Sequence, residues 1–100
     1  MGESMKNEKH SPLSATFVKL AMTHQGKDDE HASARLFSVM NTATGKLLRQ
    51  KVWLPLVDAG ERAEFSGLKG GEKIQFEAVV FRGGWGFMFA EPRNVRMENK

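Results

Sequence analysis

The chain has 100 residues, of which 40% are hydrophobic and 27% charged, a composition typical of one globular domain and unlike that of disordered or collagen-like chains. It contains no cysteine, which excludes disulfides, thiolate metal sites and a cysteine nucleophile. Fifteen basic and twelve acidic residues leave a net charge of +3, which is compatible with an acidic partner without requiring one.

The two ends of the chain are predicted to be tails. Residues 1–14 mix charged and polar residues without periodicity and are predicted to be disordered, and residues 98–100 are polar. Residues 15–97 would then form the domain. No stretch approaches the roughly 20 apolar residues of a membrane span, and the start has no apolar leader. The expected location is therefore cytoplasmic, without a membrane partner.

A first strand is predicted over residues 15–23, where apolar and polar residues alternate. Its core face would carry Val18, Leu20 and Met22. Phe17 and Lys19 would then lie on the outer face.

The charged stretch 25–31, which contains Gly26, predicts a loop before the second strand. Histidines and carboxylates cluster around it, but a solvated loop explains them better than a metal site, so no metal is predicted.

The second and third strands, Ala32–Asn41 and Lys46–Pro55, are predicted to form a hairpin. Gly45 suits a three-residue loop whose last residue is left-handed. The apolar face would then pair Ala34 with Leu54, Leu36 with Val52 and Met40 with Leu48. The outer face would carry Arg35, Phe37, Val39, Arg49, Lys51 and Trp53. A two- or four-residue loop would mix the two sets.

A short helix is predicted within residues 56–71, because Asp58 and Glu61 have the spacing of a capping box and Gly67 could end the helix. Its apolar side would comprise Ala59, Ala63 and Phe65. Strands over 72–82 and 85–93 would follow, joined by a turn at Gly83-Gly84. That turn pairs Phe87 with Val80 and Phe89 with Ala78, which assigns both phenylalanines to the core.

The order strand, strand, strand, short helix, strand, strand over residues 15–97 resembles the OB-fold. The run LKGGEKIQFEA at 68–78 is similar to the turn into the fourth strand of such domains. The predicted fold is therefore all-β, a five-stranded OB-like Greek-key barrel with one short helix between strands 3 and 4. An SH3-like barrel also has five short strands, but the helix favours the OB-fold.

The resemblance implies a single-stranded nucleic-acid-binding surface on strands 2 and 3 and the adjoining loops. Residues 32–57 include four basic residues and no acidic one. Unpaired strands are bound by cations next to exposed rings. The candidate binding residues are Phe17, Lys19, Arg35, Phe37, Lys46, Arg49, Lys51, Trp53, Arg82 and Trp85. The alternative is that the rings pack in the core and the cations are simply solvated.

Trp85 belongs to the run Gly84-Trp85-Gly86-Phe87, which resembles the Gly-aromatic strand of cold-shock and RNA-recognition domains. The resemblance implies a base-stacking role for Trp85. Alternatively, Trp85 caps one end of the barrel.

The sequence thus predicts a non-enzymatic protein, without catalytic residues or cofactor, that binds single-stranded DNA in preference to RNA and largely without sequence preference. No motif of a known catalytic site is present. The alternative is a protein-interaction module on a small β-barrel, and free strand edges would allow a homodimer or a partner protein of nucleic-acid metabolism. Asp28, Asp29 and Glu30 count against phosphate binding near the first loop, because carboxylates repel phosphates. A third alternative, a metal-assisted hydrolase, would instead need these carboxylates.

Overall fold

A computed structural model describes residues 9–25, 29–84 and 86–98, with the backbone alone at 23–25 and 29–31. These ranges contain antiparallel strands and one short helix. The strands are β1 (His10–Gln25), β2 (Asp29–Asn41), β3 (Lys46–Leu56), β4 (Lys73–Gly83) and β5 (Gly86–Met97), and the helix α1 (Ala59–Phe65) follows β3. The predicted all-β class with a helix between the third and fourth strands is confirmed.

The strands form one sheet in the order β3-β2-β1-β4-β5. The long strand β1 pairs with β4 through its first half and with β2 along most of its length. The edge strands β3 and β5 lie against each other, but in the described ranges no backbone ladder joins them, so the sheet curls without closing into a barrel.

The strand β1 begins at His10, so the predicted tail is wrong for residues 10–14. Pro12 lacks an N–H and made this segment look irregular. It is tolerated because pairing with β2 begins only at Leu13, while Pro12 faces Glu77 of β4. The rest of the predicted N-terminal tail, residues 1–8, lies outside the described residues, as do Asn99 and Lys100 at the other end.

The predicted first loop is also shorter than expected, because β1 continues to Gln25 and β2 already begins at Asp29. The backbone pairing includes His24 with Glu30 and Gln25 with Asp29. Positions 26–28 lie outside the described residues.

Bulges give the sheet its curl. Ser38, Glu91 and Asn94 have φ angles of 55°, 56° and 55°, and each lies where the pairing register shifts. A bulge adds one residue to one strand, which bends that strand and increases its twist. Next to the last bulge, hydrogen bonds from Arg93 and Asn94 lower the pKa of the Glu77 carboxyl.

The core lies inside the curled sheet and is closed at one end by α1. Asp58 caps the helix by accepting a 2.9 Å hydrogen bond from the backbone N–H of Glu61, as the capping box predicted. Of the predicted apolar side of the helix, Phe65 is buried but Ala59 and Ala63 are exposed. The largest fully buried side chains are Phe65, Phe76, Leu13, Leu36, Leu54, Ile74 and Val39.

Phe17 belongs to this core, contrary to the prediction that it lies on the outer face. It is 2% exposed and stacks on Phe65 with ring centroids 6.2 Å apart. The cause is a bulge between Phe17 and Lys19, which reverses the inside-outside alternation. Val18, predicted to be buried, lies at this bulge and is exposed. Beyond the bulge Leu20 packs against the core as predicted, whereas Met22, also predicted to be buried, is exposed.

The β2–β3 hairpin has the predicted register over most of its length, including Ala34 opposite Leu54 and Leu36 opposite Val52. Near the turn the prediction is wrong. Asn41 pairs with Lys46 across the four residues 42–45, and Met40 faces Leu47 rather than Leu48. Val39 is buried rather than on the outer face, because Ser38 at its positive φ breaks the alternation one residue earlier.

Two adjacent glycines hold the bulge of β1. The N–H of Gly71 donates to the carbonyl of Phe17, and the N–H of Phe17 donates to the carbonyl of Glu72, both at 2.8 Å. A Cβ on Gly70 would lie 2.7 Å from the carbonyl oxygen of Val18, which is a backbone atom and cannot move away cheaply.

We therefore expect Gly70→Ala to lower the free energy of unfolding by about 1–3 kcal/mol. Gly67→Ala is the matched control, because a Cβ there meets nothing within 4 Å. We expect the control to be neutral or slightly stabilising, since alanine restricts the unfolded chain. Urea denaturation of both variants measures the difference, and equal stabilities would contradict the close approach of Gly70 to β1.

Candidate nucleic-acid interface

The β2–β3 pairing assembles a surface in which cations and rings alternate. Arg35 lies opposite Trp53, and Phe37 lies opposite Lys51. On the other side of β2, Lys19 of β1 lies opposite Arg35. We call these five residues the β2–β3 patch: Lys19, Arg35, Phe37, Lys51 and Trp53.

Each ring of the patch is exposed and has a cation beside it. The guanidinium carbon of Arg35 lies 3.9 Å from the ring centroid of Trp53, and the Nζ of Lys51 lies 6.0 Å from that of Phe37. Trp53 is 64% exposed and Phe37 43% exposed. Rings this open contribute little to the core, so their large apolar surfaces are available to a ligand.

Arg35 is held in place by this contact. Its side chain is half-buried, and its Nε is shielded from solvent without a hydrogen-bond partner in the part of the chain that the structure describes. A shielded donor without a partner costs about 1–3 kcal/mol of stability. The arginine thus lies on the indole although one of its donors is left unpaired among the described residues.

A shallow depression of about 280 Å³ lies between the two rings. Val18, Arg35, Phe37, Lys51 and Trp53 contribute to its walls. Phe37 and Trp53 are diagonal neighbours on adjacent strands, a relation that places side chains about 7–8 Å apart. A single ligand bound in the depression could therefore contact both rings.

The other candidate residues lie elsewhere. Phe17 is in the core. Lys46 is exposed, but it lies seven residues before Trp53 on β3, roughly 20 Å along the strand. Trp85 lies outside the described residues. The structure thus brings together five of the ten predicted residues as the β2–β3 patch.

Of the remaining candidates, Arg82 lies over the ring of Phe87. Arg49, like Phe87, lines a second concavity, which sequence reasoning did not anticipate. We call it the seam groove, since it follows the line where β3 and β5 meet. It has a volume of about 510 Å³. Its walls include Arg49, Lys51, Trp53, Phe81, Phe87 and Met88.

Contacts along the seam are made by side chains. Nη1 of Arg49 donates a 3.4 Å hydrogen bond to the carbonyl of Phe87, and the guanidinium carbon of Arg82 lies 5.0 Å from the ring centroid of Phe87. Phe87 is only partly buried, whereas Phe89 is buried as predicted.

The β4–β5 register explains why this groove was missed. Gly83 pairs with Gly86, so the two loop positions are 84 and 85 rather than the predicted 83 and 84. Phe87 therefore faces Arg82 instead of Val80, and Phe81 faces Met88. A two-residue loop accepts glycine followed by another residue as readily as two glycines, so Gly84-Trp85 was an equally good reading of the sequence.

Comparisons of the chain with protein-family models, with curated proteins and with solved structures found no match.

Within residues 9–25, 29–84 and 86–98, no three His, Cys, Asp or Glu side chains are grouped so that they could hold a metal ion. Nor does any helix in these ranges have the length and apolar character needed to cross a membrane.

Proposed function

We propose that the protein binds single-stranded nucleic acid on the β2–β3 patch, without catalysing a reaction. The observation that carries this proposal is the pairing of Arg35 with Trp53 and of Lys51 with Phe37 on one exposed surface. Single strands present phosphates beside unstacked bases, and this surface offers cations beside open rings.

The topology supports the same proposal. Cutting a five-stranded OB barrel between its third and fifth strands leaves the order β3-β2-β1-β4-β5 seen here. OB-folds are partly open barrels that bind oligonucleotides on the face of strands 2 and 3. We therefore propose an OB-like Greek-key architecture, with the patch on the surface that this architecture uses for ligands.

Stacking is expected to supply more of the affinity than any single cation. A base on an aromatic side chain contributes about 1–3 kcal/mol, and it does so for every base, because all bases have a π-face. Binding through two rings and several phosphate contacts is therefore largely independent of sequence.

DNA is the expected ligand in preference to RNA. Apart from the cations and the indole N–H of Trp53, the side chains that form the depression around Phe37 and Trp53 are apolar. None of these side chains is a hydrogen-bond acceptor for the proton of a ribose 2′-hydroxyl, which is the group that distinguishes RNA. Oligouridine is thus expected to bind no more tightly than oligothymidine.

The second candidate function is docking of a partner protein, which the exposed cross-strand pair Phe81 and Met88 favours, since apolar patches often mark protein interfaces. The two functions differ in their response to oligonucleotides at low salt. A surface that only docks proteins would leave an oligonucleotide unbound.

The salt dependence of binding tests the proposal. Four exposed or half-exposed cations, Lys19, Arg35, Arg49 and Lys51, lie on the patch or beside it. We expect log K for a fluorescent oligothymidine of about eight residues to fall with log salt at a slope of about −3, because each neutralised phosphate contributes about −0.7. Absence of binding at low salt would refute the proposal.

Lys51→Ala is expected to make this slope less negative by less than one unit. Lys46→Ala removes the same charge from the same strand but lies away from the patch, so it is the matched control and should leave the slope nearly unchanged. Equal effects of the two substitutions would mean that charge in general, rather than the patch, attracts the oligonucleotide.

A further inference from the structure

The width of the seam groove limits what can bind in it. Where β3 and β5 approach each other, their Cα atoms come within 8 Å. A further strand inserted between them would need about twice the 4.7–4.9 Å spacing of a ladder. The gap is too narrow for a strand, and the Arg49 side chain already bridges it to the carbonyl of Phe87. A flat ring that enters between side chains would fit.

The residues that line the groove also favour one kind of ligand. Its floor and far wall are apolar, with Phe81, Phe87 and Met88 from β4 and β5. Arg49 and Lys51 lie on its β3 side, and none of the described residues that line it is acidic. An apolar slot with cations along one wall is complementary to an aromatic group that carries negative charge beside it.

Trp53 connects this groove with the β2–β3 patch. Arg35, which belongs to β2, covers one face of the indole at 3.9 Å. Because β3 lies between β2 and the seam, the face of the indole that Arg35 leaves free is expected to be on the side of β5. Trp53 lines both the depression of the patch and the seam groove.

We infer that the seam groove holds one base of the bound strand, stacked on the face of Trp53 that Arg35 leaves free, with Arg49 and Lys51 beside its phosphates. This inference rests on the proposed function and adds to it the path of the bound strand across the protein. The bound strand crosses β3 from the patch to the seam, instead of ending on the patch.

Photo-crosslinking of the full chain tests this path. The probe is an oligothymidine in which 5-iododeoxyuridine replaces one thymidine, moved through successive positions. After irradiation, digestion and mass spectrometry, we expect adducts on Trp53 and on Phe87 or Met88 of β5. Adducts on the β2–β3 patch but none on β5, with salt-dependent binding intact, would overturn the inference and leave the proposed function standing. Absence of binding would overturn both.

A substitution in the far wall gives a second measurement. Met88→Ala is expected to weaken binding by about twofold to tenfold, the range of a sulfur–aromatic contact. Leu47→Ala is the matched control, because Leu47 is also a large exposed apolar residue but does not line the groove. Equal affinities of the two variants would overturn the inference, provided that both retain the unfolding midpoint of the parent protein.

Discussion

Replacement of Phe65 by alanine is expected to lower the free energy of unfolding by about 3–5 kcal/mol. The side chain is fully buried and is the one residue of α1 inside the core. It stacks on Phe17 and meets Phe76 edge-on, with ring centroids 6.2 and 6.3 Å apart. Its removal would leave a cavity between the helix and two strands, which a seven-residue helix could not fill by moving.

A domain of this size is stable by about 5–15 kcal/mol, so Phe65→Ala would remove a large share of that stability. Phe81→Ala is the matched control, since the same atoms are removed from a side chain that is 43% exposed. Urea denaturation should show a marked shift for Phe65→Ala and a small one for the control, with similar slopes. Similar shifts for both would mean that α1 does not close the core.

Trp53→Ala is expected to weaken oligothymidine binding by about 1–3 kcal/mol, since it removes a stacking surface. The loss should be nearly the same at low and high salt, because no charge is removed. Trp53→Phe keeps a ring and should restore much of the affinity. Fluorescence anisotropy of a labelled oligonucleotide at two salt concentrations measures all three proteins.

The fold should survive this substitution, because the Trp53 side chain is mostly exposed. An unfolding midpoint lowered as far as that of Phe65→Ala would show that the indole is structural. Unchanged affinity in a folded Trp53→Ala protein would show that the indole does not stack on bases. Either result would contradict the role assigned to the β2–β3 patch.

The sequence was informative where strands alternate without interruption. The hairpin pairing from Ala34 with Leu54 to Phe37 with Lys51 follows from the alternation of apolar and polar residues, because a slip of β3 by one residue would have turned Lys51 to the core face. The capped helix after β3 was predicted from Asp58 and Glu61 for a similarly local reason.

The bulges could not be predicted, because they depend on contacts between distant segments. The bulge of β1 lies at Val18, whose carbonyl is closely approached by Gly70, far along the chain. Ser38 has no sequence feature that marks a positive φ. A bulge reverses the alternation between the residues before it and those after it, so Phe17, before one bulge, and Val39, after another, were assigned to the wrong face. The outward positions of Phe37 and Trp53 lie between these irregularities and were therefore correct.

The absence of a ladder along the seam has a consequence for ligand size. Strands that share backbone hydrogen bonds are fixed about 4.7–4.9 Å apart, whereas β3 and β5 are connected in the described ranges through side chains such as Arg49. Small rotations of these side chains can widen or narrow the slot without breaking the sheet. The same site could thus accommodate pyrimidines, which have one ring, and purines, which have two. It would then not distinguish one base from another.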